Sequence, residues 1–109
     1  MIEINNNFIK IDDIEIKFEA PIAEYVEYKD LVIVVLDYKS QILRNIYAIN
    51  RLDGGIKWQV EGTSNYVNNP VPFTVIRIID NELVTADWSS WRYVLDPYSG
   101  KIIQSRQGK

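Results

Sequence analysis

Along most of the chain apolar residues alternate with polar ones at a period of two, the pattern of strands with one buried face. Ile14, Ile16 and Phe18 fall on one side and Glu15, Lys17 and Glu19 on the other. Ile56, Trp58 and Val60 alternate in the same way with Lys57 and Gln59. Leu31–Leu36 departs from the rule: it is apolar throughout and rich in valine and isoleucine, which predicts an inner strand covered on both faces. Turn chemistry separates the runs. Asp12-Asp13 lies between Phe8–Ile11 and 14–18, and Lys29-Asp30 lies between Ile22–Tyr28 and Leu31–Leu36. Asp53-Gly54-Gly55 and Asp96-Pro97-Tyr98-Ser99-Gly100 are stronger signals, since glycine accepts positive φ and proline suits an early turn position.

Segment 41–49 carries Ile42, Leu43, Ile46 and Ile49 at helical spacing, but an internal repeat favours a strand there. Residues 45–60 align without gaps on 91–106, at a shift of 46. Tyr47 matches Tyr93, Ile49 matches Leu95, Asn50 matches Asp96, Gly54 matches Gly100 and Ile56 matches Ile102. Pro97 is incompatible with a helix across the second copy. Two units of four antiparallel strands follow, one over 22–28, 31–37, 45–50 and 56–60, the other over 73–79, 83–88, 91–95 and 101–105. An amino-terminal hairpin over 8–18 precedes them. The polar segment 61–72, with Pro70 and Pro72, is a loop between the units. The predicted fold is all-β: one domain over 1–109, two four-stranded meanders plus a hairpin, packed as a sandwich or barrel-like body.

Composition narrows the chemistry. With 47% hydrophobic and 25% charged residues, the 109-residue chain has a globular balance. Its net charge is -3 and its twelve Lys and Arg form no basic run, so no electrostatic case exists for nucleic acid. There is no cysteine and no histidine, which removes disulfides, thiolate or imidazole metal sites and Ser-His or Cys-His pairs. No cofactor is expected. Residues 1–7 do not read as a secretory signal, and no apolar run reaches the ~20 residues of a membrane helix, so a cytoplasmic address is expected.

The repeats Tyr47-Ala-Ile-Asn-Arg-Leu-Asp-Gly-Gly-Ile-Lys-Trp58 and Tyr93-Val-Leu-Asp-Pro-Tyr-Ser-Gly-Lys-Ile-Ile103 resemble quinoprotein-type β-propeller blades. In those a Tyr-x-Leu-Asp strand leads to a Ser/Thr-Gly-Lys turn and a tryptophan-bearing strand. The second copy has Gln104 where Trp58 stands, and nothing matches the residues a quinone cofactor would need. The whole chain also resembles small bacterial proteins of unknown role, some of whose general kind act as immunity partners of toxins. The resemblance implies blade-like sheet geometry only.

Candidate site residues cluster late in the chain. Asp87-Trp88-Ser89-Ser90-Trp91-Arg92 is the most unusual segment. It suits either an interface anchor, since Trp, Tyr and Arg dominate such contacts, or a hairpin whose indoles pack across strands. Tyr66, amid asparagines in the 61–72 loop, is a second aromatic candidate. Asp37 and Asp87 each close a second strand, where they form either an acid–base or cation site or, more simply, turn acceptors. The expected function is a non-enzymatic protein-binding module whose partner is another protein, using Tyr66, Asp87, Trp88, Trp91 and Arg92. Self-assembly into a homo-oligomer and binding of a small molecule or sugar are the alternatives.

Overall fold

The alternating runs pair with their neighbours in chain order, because tight turns return each strand beside the one before it. The computed structural model describes residues 1–107, whose strands form three antiparallel sheets. Sheet A contains β1 (Ile2–Asn5), β2 (Phe8–Ile11) and β3 (Ile14–Lys17). Sheet B contains β4 (Ile22–Tyr28), β5 (Leu31–Leu36), β6 (Ile46–Asn50) and β7 (Ile56–Gln59). Sheet C contains β8 (Phe73–Ile79), β9 (Glu82–Asp87), β10 (Trp91–Leu95) and β11 (Ile102–Gln107). The two four-stranded meanders stand as expected, and 46–50 is a strand. Two expectations need correction. The amino-terminal hairpin is a three-stranded sheet, because Ile2 and Ile4 alternate with Glu3 and Asn5 and lie beside Ile11 and Ile9. The sheets do not close into a barrel.

The turns use residues that tolerate left-handed backbone. Asn6, Asp12 and Lys29 open their two-residue turns at φ 59, 54 and 53°, and Asp80 and Asn81 are both left-handed. Positive φ early in a two-residue turn matches the right-handed twist of the strands it joins. Asp12-Asp13 and Lys29-Asp30 thereby make tight hairpins without glycine.

Sheet B is the middle of three layers. Along β5, Leu31, Ile33 and Val35 join one buried cluster with Phe73, Ile76, Leu83, Tyr93 and Leu95 of sheet C. Val32, Val34 and Leu36 join a second cluster with Ile9, Ile11 and Phe18 of sheet A and the A–B connection. The apolar run of β5 is thus covered on both faces, as its composition requires.

Sheets B and C repeat each other down to their irregularities. β4–β5 carries a bulge between Ile22 and Glu24, and β8–β9 carries one between Phe73 and Val75. β6–β7 shifts register between Ala48 and Ile49, and β10–β11 between Val94 and Leu95. Gly54 and Gly100 close equivalent turns at φ 76 and 75°, donating to Asn50 and Asp96. Each also abuts the last strand of the preceding sheet. A Cβ on Gly54 would lie 2.5 Å from Ile14, and one on Gly100 only 2.3 Å from Trp58. The indole N–H of Trp58 donates to the Pro97 carbonyl of that same turn at 2.9 Å. Asn45, fully buried, ties B to C: its amide nitrogen donates to the Leu36 and Phe73 carbonyls, and its oxygen accepts from Phe73 N–H. Among the described residues no helix is long and apolar enough to cross a membrane.

Candidate functional site

The candidate segment is the turn between β9 and β10, and Asp87 builds it. This carboxylate is buried, and its Oδ1 accepts from the Ser89 N–H at 3.0 Å, the Ser89 hydroxyl at 2.8 Å and the Trp91 N–H at 3.0 Å. Oδ2 accepts from the Tyr93 hydroxyl at 3.0 Å. Four donors satisfy the cost of burying a charge. Burial, and then the Asp87 bond and charge, push the Tyr93 hydroxyl above its ordinary range. Ser90 takes φ 71°, which completes the short turn. Asp87 is therefore the organiser of this loop, with its oxygens already engaged.

Asp37 is not its counterpart in register. Asp87 lies opposite Phe73, whereas Ile22, the equivalent of Phe73, lies opposite Leu36. Asp37 falls one position further on, where it caps a 3-10 turn at Tyr38–Ser40 by accepting from Lys39 N–H at 2.9 Å. Among the described residues no group of three His, Cys, Asp or Glu side chains could hold a metal ion.

The other candidates part company on either side of this turn. Trp88 projects outward, 58% exposed, and stacks on Tyr38 of the equivalent corner of sheet B, with ring centroids 4.5 Å apart. Trp91 points the other way, toward the B–C core, and packs there with Tyr66. Tyr66, Asn68, Asn69, Ser89 and Trp91 line a shallow groove, and the Trp91 indole nitrogen is buried, without a hydrogen-bond partner among the described residues. The Tyr66 hydroxyl donates to Glu61 at 3.4 Å, and Glu61 accepts from the Ile102 N–H at 2.7 Å, which ties loop 61–72 to sheet C. Trp88 and Arg92 share a depression with Thr74, Val75, Ala86 and Ser90 on the opposite, outward face of sheet C. Two sites thus replace the one that the spacing implied.

Arg92 leads onto that outward face, which no other sheet among the described residues covers. Register places Val75, Ala86, Arg92 and Arg106 side by side in one row, and Arg77, Val84, Val94 and Gln104 in the next. Ile79 and Glu82 make a third row. Arg106 and Gln104 are absent from the sequence-derived site. Their signal lay in the repeat itself, which aligns Arg106 with Val60 and Gln104 with Trp58, polar residues at positions buried in the first copy.

A family described as a domain of unknown function, DUF7957, matches residues 1–107. No curated protein matches the chain. Among solved structures, the computationally designed Ika8 protein is similar, at 10% identity and a TM-score of 0.65. That alignment covers 99% of this chain and 36% of the designed one, so the chain spans little more than a third of that protein's length. At such identity the likeness is one of fold.

Proposed function

The chain belongs to this DUF7957 family, whose function is unknown, and we propose that it is a non-enzymatic protein-binding module. The observation that carries the reading is the Tyr38–Trp88 corner: a stacked aromatic pair, most of the Trp88 ring in solvent, beside Arg92. Exposed Trp and Arg are the residue types on which interface energy concentrates. The engaged oxygens of Asp87 support a structural rather than an acid–base role for that carboxylate. We further read the two four-stranded units as blade-like repeats of the quinoprotein type, the matched registers and glycine turns being the support. A cytoplasmic, immunity-type or regulatory partner in a bacterial cell is the setting that fits a cysteine-free chain of this size. Affinity capture with the wild type and with Trp88→Ala tests the reading. A stoichiometric protein retained by the wild type and lost by the folded variant is expected; equal capture by both overturns the assignment of this corner.

The Tyr66–Trp91 groove supports a second reading, a small polar ligand such as a sugar, because two aromatic side chains and the amides of Asn68 and Asn69 line it. Titration of a sugar panel should then shift tryptophan emission in the wild type and not in Trp91→Phe. An emission that no sugar moves removes this reading.

A further inference from the structure

Sheet C presents outward the same grid of positions that sheet B buries against sheet C. Arg92 and Arg106 stand where sheet B has Ile46 and Val60, Gln104 where it has Trp58, and Glu82 where it has Leu31. Polar residues at such positions stop a further sheet from stacking, as the terminal repeats of stacked proteins do. Stopping the stack does not account for the arginines, however. Arg92 and Arg106 are direct cross-strand partners, and like charges directly opposite destabilise a sheet. An Arg opposite a Glu would end the stack equally well and would stabilise it. The outward face of sheet A does so: Glu3 lies opposite Lys10, and Lys10 opposite Glu15. Among the described residues neither Arg92 nor Arg106 has a carboxylate partner, while Arg77 in the adjacent row is held by Glu24.

We infer that the outward face of sheet C is a docking surface for an acidic, extended protein segment. This rests on the binding-module reading and names the partner's chemistry. Val84, Val94 and Ala86 offer an apolar floor, and the arginine pair supplies charge that only an anionic partner compensates. The pair is the local exception in a chain of net charge -3, which makes a polyanion as long as a nucleic acid the poorer fit. A second copy fits worse still. Face-to-face pairing sets arginine against arginine, and the outward face of sheet A already balances its charges.

The test is an amide-shift titration of the isotope-labelled full chain with a peptide of alternating valine and glutamate, about seven residues long to match a strand. Expected are shifts confined to β9, β10 and β11 around Val84, Arg92, Val94, Gln104 and Arg106. A valine–lysine peptide should give none. Arg92→Gln/Arg106→Gln, whose own spectrum reports its fold, should weaken binding at least about tenfold. Shifts elsewhere, equal response to the lysine peptide, unchanged binding by the double variant, or tighter binding of a single-stranded oligonucleotide at these residues each overturn the inference. If the titration fails while Trp88→Ala still abolishes capture, the binding-module reading survives and only the acidic-segment assignment falls.

Discussion

The face that sheet B turns to sheet C and the face that sheet C turns to solvent share one grid of strands, bulges and glycine turns. In sheet B, Tyr28, Leu31, Ile33, Val35, Ile46, Ala48, Trp58 and Val60 fill it and are buried. In sheet C the matching positions hold Ile79, Glu82, Val84, Ala86, Arg92, Val94, Gln104 and Arg106. The centre of the grid stays apolar while its margin turns charged. A backbone that is built to stack can therefore be left unstacked by side chains alone, because its hydrogen-bond ladder is indifferent to what either face carries. The contrast also explains why Trp58 has no copy. Its ring packs against Gly100 of the next sheet, and among the described residues no sheet packs at Gln104.

Breaking the buried face should have the largest effect. Asn45→Ala removes both donors and the acceptor that join Leu36 and Phe73, leaving buried backbone groups without partners. A loss of about 3 kcal/mol in urea unfolding is expected. A loss below about 1 kcal/mol would mean that the B–C seam does not depend on this bridge. Next is Gly100→Ala, which combines a left-handed backbone with a side chain driven into Trp58; about 2 kcal/mol or more is expected. Gly55→Ala, with negative φ and the exposed side-chain tip of Asp53 as its nearest neighbour at 3.2 Å, should cost much less, and equal losses would sink the close-approach account.

Alkaline pH probes the inner side of sheet C more gently. The Tyr93 hydroxyl titrates above its ordinary value in the folded protein, so between that value, about 10, and its folded one the unfolded chain binds fewer protons. Stability that is complete below pH ~10 must then fall as pH rises. Tyr93→Phe should flatten that alkaline decline, and a wild type equally stable on both sides of pH ~10 would contradict it. The smallest effect on stability is expected from making the outward face like the buried one. Arg92→Ile/Gln104→Trp/Arg106→Val should change unfolding by about 1 kcal/mol or less, since these positions are exposed. Its solution mass should instead rise with concentration in sedimentation experiments. A strictly monomeric triple variant would mean that something other than these side chains limits stacking.

Much of the fold was legible locally. Strand periodicity, the two glycine turns and the alignment of 45–60 on 91–106 determined which segments are strands and that two units repeat. Each rests on a residue and its near neighbours. The short β1 escaped because two isoleucines among polar residues make too brief an alternation to stand out. The candidate site was half legible: Asp87 was readable as a turn acceptor, but the parting of Trp88 and Trp91 to opposite faces was not.

What the sequence determined by itself was every strand but β1, their order and the turns between them, because hairpin pairing is settled by alternation and two-residue chemistry. Only the tertiary structure decided which face of each strand meets another sheet. It sent Trp88 and Trp91 to opposite sides, placed Tyr38 against Trp88 from fifty positions away, and left Arg92 beside Arg106 in water. The physical reason is that alternation separates two faces without labelling them. The label comes from burial, and burial is a property of three sheets together.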